Sequence, residues 1–469
     1  SEAFGLYYVR IPLKASARIV HSNALTIEWE RVVVKERLSY ILGNPPFVGG
    51  KFQSDAQRKD LAEVFRGVAG AGVLDYVAGW YLKAAQFIQG TTIVCAFVST
   101  NSISQGEQVS VLWDELFKRY RIKIHFAHRT FAWSSEARGK AAVHCVIVGF
   151  AAFDTKRKLL YEYEDIKGEA HEVVATNITP YLTDGGDVVI GKRSRPLCAV
   201  PEMGIGNKPI DGGNYLFTAE EKEEFLKLEP FAAPFFRRWV GAIEFLNGHE
   251  RWCLWLGECP PDVLRQMPQA MRRVEAVRQL RLASKSKPTR DIAAKPTRFH
   301  VENMPRSEYL ATPKVSSERR YYVPIGFMPP ETFCSDLMFI ARDATLYHFG
   351  VLSSLMHMAW MRAVCGRLKS DFRYSNTLVY NNFPWPEPTP TQVATIETAA
   401  QGVLDTRARF PKSTLADLYD PNTMPAELMK AHRMLDKAVD TAYRRQPFDS
   451  ERHRVEYLFS HYQKLALQI

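Results

Sequence analysis

Asn44-Pro45-Pro46-Phe47 is the stretch of this chain whose residue types and spacing could do chemistry. Two consecutive prolines fix φ and drive the residues before them into extended geometry, so the Asn44 side chain and the Pro45 carbonyl are held at little ordering cost. Both offer acceptor oxygens. An exocyclic amine has two N–H groups to give them. Accepting both turns the amine lone pair toward an electrophilic methyl, so that in-line transfer needs alignment more than acid–base help. Phe47 adds a flat face for a nucleobase rotated out of a duplex. The alternative is a plain rigid turn. By average residue frequencies the tetrapeptide arises by chance in on the order of one chain in several hundred of this length.

The elements around it explain how such a group would be placed. Apolar, β-branched-rich runs at residues 17–21, 39–43, 91–99, 121–127 and 142–150 read as strands. Between them, Leu74, Val77, Tyr81, Ala84, Ala85 and Ile88 recur at helical spacing and predict a helix over Val73–Ile88. Strand and helix in alternation imply a doubly wound α/β layer, whose ligands gather at the carboxyl ends of the strands. The Asn-Pro-Pro-Phe stretch follows the apolar Tyr40–Leu42 directly, at such an end.

Composition sets wider bounds. At 469 residues the chain is too long for one ordinary core, and its 46% hydrophobic and 24% charged residues are a globular balance. No apolar run reaches the roughly 18–20 residues that cross a bilayer, and no secretory pattern opens the sequence, so a cytoplasmic protein without a membrane partner is expected. Seven scattered cysteines with no C-x-x-C pair suggest neither a metal site nor a disulfide framework. The net charge of +10 and the pI near 9.1 favour a polyanionic partner, because neutralised phosphates release counterions.

That charge is concentrated beyond residue 190. Pro201–Tyr215 is turn-dense and reads as a linker or first loop of a new domain. Residues 265–298 then hold ten Lys or Arg against two acids, among them Arg272, Arg273, Arg278, Arg281, Lys285, Lys287, Arg290, Lys295 and Arg298. Such density suits phosphate tracking or a solvated helix face. Lys314, Ser316, Ser317, Arg319 and Arg320 form a second polar cluster, and Arg367, Lys369, Ser370, Arg373, Tyr374, Ser375 and Asn376 a third. These are the side chains that read base edges, and equally those that anchor backbone. Leu352–Val364, rich in methionine, reads as core packing. After the proline-dense Asn381–Pro388, three helices are expected, at Val393–Leu404, Pro425–Tyr443 and Ser450–Leu467.

The tetrapeptide resembles the catalytic motif of N6-adenine DNA methyltransferases, and its surroundings resemble the MmeI-like (type IIL) family of single-chain restriction–modification enzymes. The resemblance rests on Asn44-Pro-Pro-Phe-Val-Gly-Gly, Gly70-Ala-Gly-Val-Leu-Asp-Tyr-Val-Ala-Gly-Trp-Tyr, Phe126 through Ala141, Lys314-Val-Ser-Ser-Glu-Arg-Arg-Tyr, Phe349–Ser354 and Tyr380–Pro386, blocks spread over almost the whole chain. It implies a partial Rossmann-like class I methyltransferase core over 1–190. A mixed α/β target-recognition domain over 191–385 and a helical C-terminal segment over 386–469 would follow. It further implies that Asn44 and Pro45 accept from the target amine, that Pro46 stiffens the loop, and that Phe47 stacks on a flipped adenine. A second aromatic, Phe131 or Trp133, would come from a loop before the last core strand, with packing as the alternative. Asn23-Ala24-Leu25 would lie near the cofactor adenine, or form a plain turn. Double-stranded DNA is the implied partner, with Arg272, Arg273, Lys285, Lys287, Arg290, Lys314, Ser316, Ser317, Arg319, Arg320, Lys369, Arg373, Tyr374 and Asn376 as contact candidates.

One part of the family pattern is missing. Such enzymes hold S-adenosylmethionine in a glycine-rich loop after their first strand, and Gly67–Val73, the richest glycine stretch here, follows a helical pattern and reads as a connector. The expectation is therefore a fragment inactive alone, which needs N-terminal methyltransferase and nuclease segments in cis or a partner in trans. The alternatives are a noncatalytic DNA-recognition module and a methyltransferase acting on RNA or on protein glutamine. The last would not need the basic, turn-rich residues downstream.

Overall fold

A computed structural model describes residues 17–133, 143–165, 167–368 and 370–467. Two compact units emerge, one of residues 1–101 and 111–174, the other of residues 102–110 and 175–469.

The first unit is a six-stranded sheet with strands β1 (Tyr40–Gly43), β2 (Val94–Thr100), β3 (Lys123–Trp133), β4 (Val143–Ala151), β5 (Lys158–Tyr163) and β6 (Ala170–Ala175), in the order β1-β2-β4-β3-β5-β6. β1 runs parallel to β2 and β5 parallel to β3, while β4 lies antiparallel between β2 and β3. The carboxyl ends of β1, β2, β3 and β5 therefore share one edge of the sheet. Period-two alternation buries Cys95, Phe97 and Ser99 of β2 on one face. Helices α1 (Asp55–Val64), α2 (Ala78–Phe87) and α3 (Gln108–Lys118) accompany the sheet. Tyr81 of α2 is fully buried against Phe97 and Phe150, with ring centroids 5.3 and 5.4 Å away, and Trp113 of α3 closes on it at 6.1 Å. Each such ring pair adds about 0.5–1.5 kcal/mol beyond simple burial.

Four expectations need correction. Residues 17–21 form no strand; all five are exposed and unpaired in any sheet, since a short β-branched run has no ladder partner there. The helix expected from Val73 starts at Ala78, because Leu74 is extended (ψ 142°) and the chain turns at Asp75. β3 runs six residues past Ala127, bulging between Ile124 and Phe126 and between His128 and Phe131, so pairing with β4 absorbs what reads as a loop. Pro201–Tyr215 is no linker: Met203–Ile205 is a strand of the second unit, and Asn207, wholly buried, donates to the carbonyls of Asn303 and Cys334.

The second unit carries two four-stranded sheets and one three-stranded sheet. The small sheet pairs Val315–Ser316, Asp371–Arg373 and Gly366–Leu368. Three helices close the chain, at Pro390–Ala408, Ala426–Tyr443 and Glu451–Ala466. The stripe Leu428, His432, Leu435 and Val439 is fully buried, as its three- and four-residue spacing predicts. Met356, Met358, Trp360 and Met361 are core residues of the helix Leu355–Val364.

Candidate active site

β1 ends in Gly43, and the lack of a side chain there matters. A Cβ would meet the Phe97 ring of β2 at 3.2 Å, so glycine lets the strand close onto that ring and deliver the next residues to the sheet edge. Of those residues, Pro45 is buried, Phe47 half-buried, and Asn44 and Pro46 exposed. Among the described residues the Asn44 carboxamide has no hydrogen-bond partner, and no backbone N–H is directed at the Pro45 carbonyl. Asparagine ordinarily uses such a position to cap its own turn. Here the group is left to face outward.

The far side of the same loop is fastened. Tyr76 N–H donates to the Val48 carbonyl at 2.9 Å, Gly50 N–H to Asp75 Oδ1 at 3.1 Å, and Gln53 Nε2, itself buried, to the Leu74 carbonyl at 2.9 Å. Thr100, the last residue of β2, donates its hydroxyl to Asp75 Oδ2 at 3.4 Å. A capping box of Ser54 and Gln57 then starts α1, so the loop from Asn44 to Gln53 is fixed at both ends.

Asn23 is exposed, Ala24 half-buried and Leu25 buried, and their polar groups are spent within the fold. Asn23 Nδ2 donates to Asp60 at 2.7 Å, and its Oδ1 accepts from Leu25 N at 2.9 Å, a local turn that consumes both ends of the carboxamide. The Ala24 carbonyl accepts from Trp29 Nε1, Leu25 is buried, and Lys83 donates to the Leu25 and Ile27 carbonyls. Asp60 also accepts from the Tyr76 hydroxyl, which burial and this carboxylate push up to about 12. A cavity of about 590 Å³ opens nearby, lined by Leu25, Trp29, Lys83, Phe87 and charged residues of both signs, but by none of Asn44–Phe47.

Phe131 ends up on β3, where its ring stacks on Tyr163 at 5.5 Å beside His128 at 6.3 Å. His128 in turn stacks on Tyr161 at 4.2 Å and bonds the Tyr163 hydroxyl through Nδ1 at 2.8 Å; burial holds its pKa below the usual imidazole range. β3 is three strands from β1, or about 14 Å at normal strand spacing. Trp133 is the last residue of β3, paired with Val143. Residues 134–142 of the Phe126–Ala141 block lie outside the described residues.

The basic residues divide sharply. Arg281 is wholly buried and donates to five backbone carbonyls, those of Pro209, Ile210, Ile292, Lys295 and Arg298, so it is a structural clasp and no phosphate ligand. Arg273 lies over the Phe217 ring at 4.3 Å and donates to the Asn214 carbonyl. Lys287 pairs with Asp291, Arg298 with Glu302, and Arg290 donates to the Ser284 and Lys285 carbonyls. Arg272 is exposed, within 3.4 Å of Gln269.

In the two later clusters, Ser316 and Tyr374 are buried, the latter bonded through its hydroxyl to His357, and both are withdrawn from any duplex. Asn376 donates to the Met203 carbonyl, and Arg367 is spent on Glu318, the Ser370 carbonyl and the Phe372 ring. Arg320 is half-buried, and Lys369 lies outside the described residues. Lys314 sits over Phe339 at 4.9 Å; burial lowers its pKa, with help from Lys208 and Arg373. Ser317 is half-buried, while Arg319, Arg373 and Lys285 are exposed with no side-chain partner among the described residues. The Tyr380–Pro386 block is also structural: Asn382 donates to the carbonyls of Gly191, Thr377 and Leu378, and Asn381 to that of Arg193.

No role for Asp75 is evident from the sequence, although it lies within the Gly70–Tyr81 stretch. Its signal was one acid in an otherwise apolar run, Gly72-Val-Leu-Asp-Tyr-Val-Ala.

Comparison with known proteins adds three family matches: the family described as MmeI, DNA-methyltransferase domain, over residues 1–162; MmeI, target recognition domain, over 184–387; and MmeI, C-terminal domain, over 388–469. A curated relative, "DNA methyltransferase A" of Bacillus subtilis (strain 168), is 40% identical over 459 residues, which is 97% of this chain and 51% of that protein. The chain thus spans about half the length of the curated relative it matches. A solved structure of the type IIL restriction-modification enzyme MmeI in complex with DNA superposes with a TM-score of 0.87 at 49% identity, covering 99% of this chain and 62% of that one.

Proposed function

The chain belongs to the MmeI family, whose methyltransferase, target-recognition and C-terminal domains it carries, and from that premise we propose that it serves in site-specific methylation of duplex DNA at adenine N6. The observation that carries this reading is the exposed Asn44 carboxamide beside the Pro45 carbonyl at the end of β1, both without a hydrogen-bond partner among the described residues. Two fixed acceptors match the two N–H groups of an amine. Holding both leaves the nitrogen lone pair normal to the base plane, and they stabilise the positive charge that develops on nitrogen before a proton passes to solvent. Phe47 supplies the stacking face. S-adenosylmethionine would supply the electrophilic methyl. The described residues do not by themselves fit that cofactor, since Asn23–Leu25 satisfy their polar groups internally and no described strand leads into a glycine-rich loop.

For DNA, the domain after about residue 190 and the helical segment after about 385 would provide grip and sequence choice. Arg319, Arg373 and Lys285, being exposed and unspent, are the foremost contacts; Arg272, Lys287, Arg290, Lys314 and Ser317 can reach a phosphate only by sharing or leaving their present partners. A second reading, a partner-dependent subunit or recognition module, draws on β1, an edge strand whose Tyr40 and Leu42 are 66% and 75% exposed. Incubation with tritiated S-adenosylmethionine and duplex DNA, followed by nucleoside analysis, tests both. Label in N6-methyladenine supports the enzyme. Label in methylcytosine contradicts adenine as the target; label only with the natural full-length protein still supports the enzyme, of which this chain is then a part, whereas label only with an added partner, or none with either, supports the second reading.

A further inference from the structure

We propose that Asp75 is a positioning residue for the base-gripping loop: its carboxylate ties the Gly50 amide to the end of β2 and so sets where Asn44 and Pro45 stand. The inference rests on the acceptor role given above to that loop, and it assigns work to a residue outside the tetrapeptide. Asp75 Oδ1 accepts from Gly50 N at 3.1 Å, and Oδ2 accepts from Thr100 Oγ1 at 3.4 Å. Thr100 ends β2, the strand paired in register with β1 from Tyr40↔Val94 to Gly43↔Phe97. One carboxylate therefore bridges a loop that leaves β1 and the tip of the strand beside it.

The neighbouring groups make that bridge stiff. Tyr76, next in sequence, donates its N–H to the Val48 carbonyl, so two consecutive residues hold the two ends of Val48–Gly50. The Leu74 carbonyl is occupied by the buried Gln53 amide, which holds the chain before Asp75 in place. Gly50 fits this approach closely: a Cβ there would meet the Leu74 carbonyl at 3.3 Å, so a side chain would ask that backbone to give by a few tenths of an ångström. Upstream, the prolines transmit the constraint: with φ fixed at Pro45 and Pro46, few torsions separate the anchored Val48 from the Asn44 carboxamide. A misplacement of about 1 Å at reacting groups can cost about a hundredfold in rate, so an anchor of this kind acts on turnover far more than on binding.

The test compares Asp75→Ala, Asp75→Asn and Thr100→Val in the natural full-length protein, reading methyl transfer to duplex DNA, duplex affinity, and deuterium exchange of peptides covering residues 44–53. Asp75→Ala should lower kcat about a hundredfold while DNA affinity and the KM for S-adenosylmethionine move less than threefold, and exchange should quicken in 44–53 but not in β2. Asp75→Asn keeps an oxygen for Gly50 N–H and an amide that can donate to the Thr100 hydroxyl, so it should return to within about tenfold of the unsubstituted protein; Thr100→Val should cost still less. Equal losses in Asp75→Ala and Asp75→Asn, or an Asp75→Ala protein with unchanged kcat and unchanged exchange, would overturn the proposal. If the unsubstituted protein transfers no methyl to adenine, the function reading fails instead, and unchanged exchange of residues 44–53 in Asp75→Ala still decides against the anchor.

Discussion

The Asn44–Gly50 loop and the Arg-rich segment 265–298 are both conspicuous in sequence, and the fold uses them in opposite ways. In the loop, polar groups on the inner side are consumed by Asp75 and Tyr76, while the Asn44 carboxamide has no partner among the described residues. In the basic segment, the central guanidinium, Arg281, is sunk to zero exposure and satisfied five times by main-chain carbonyls. A charge run therefore announces cations without saying which remain free. A stiff motif at a strand end announces a direction, because φ is fixed and the strand sets the edge.

The largest effect expected is at the outward group. If Asn44 is one of two acceptors for the amine, as proposed, Asn44→Ala should lower methyl transfer on the order of 10²–10³-fold, measured by tritium incorporation, with the melting temperature unchanged. Arg281→Met should do the reverse. It leaves buried carbonyls unpaired and should cost on the order of 4 kcal/mol in a urea titration, with little change in the salt dependence of DNA binding by the protein that remains folded. A loss of activity without a loss of stability in that variant would break the contrast.

The contrast also marks what could be read in advance. The sheet strands at 39–43, 91–99 and 142–150, the helix stripe Leu428–Val439 and the methionine-rich core helix were legible, since each is set by period-two or three-and-four spacing on a buried face. The reach of β3 through Phe131 was not, because its pairing with β4 is a long-range event and the Arg129-Thr-Phe-Ala-Trp run looks like a loop locally. The strand at Met203–Ile205 hid in the same way behind glycines and prolines, its ladder supplied by Phe339–Ala341 far along the chain. At the candidate site the place of the tetrapeptide at the end of a strand was legible, and the exposure of Asn44 and Pro46 goes with that place. The anchoring by Asp75 was hidden, because one acid in an apolar run has no spacing rule to reveal its partner at Gly50, 25 residues away.

Smaller effects sharpen the division among cations. Arg373→Ala, at an exposed and unspent guanidinium, should weaken duplex affinity about tenfold and reduce the slope of log affinity against log salt by about 1. Arg273→Ala, stacked on Phe217, should leave that slope unchanged and lower stability instead. Least affected should be Phe131→Leu. Its ring already faces Tyr163 and His128, so methyl transfer should change by less than about threefold, and a larger loss in a fixed-time incorporation assay would return Phe131 to the base-stacking role.

The central claim is that Asn44 and Pro45 grip the amine of an extruded adenine. It is met most directly by a crystal structure of the natural full-length protein with duplex DNA carrying its site and a nonreactive cofactor analogue. The account predicts the adenine N6 within about 3 Å of both Asn44 Oδ1 and the Pro45 carbonyl, with the Phe47 ring parallel to the base. A target base still stacked in the duplex, or an extruded base whose amine meets neither oxygen, would contradict it.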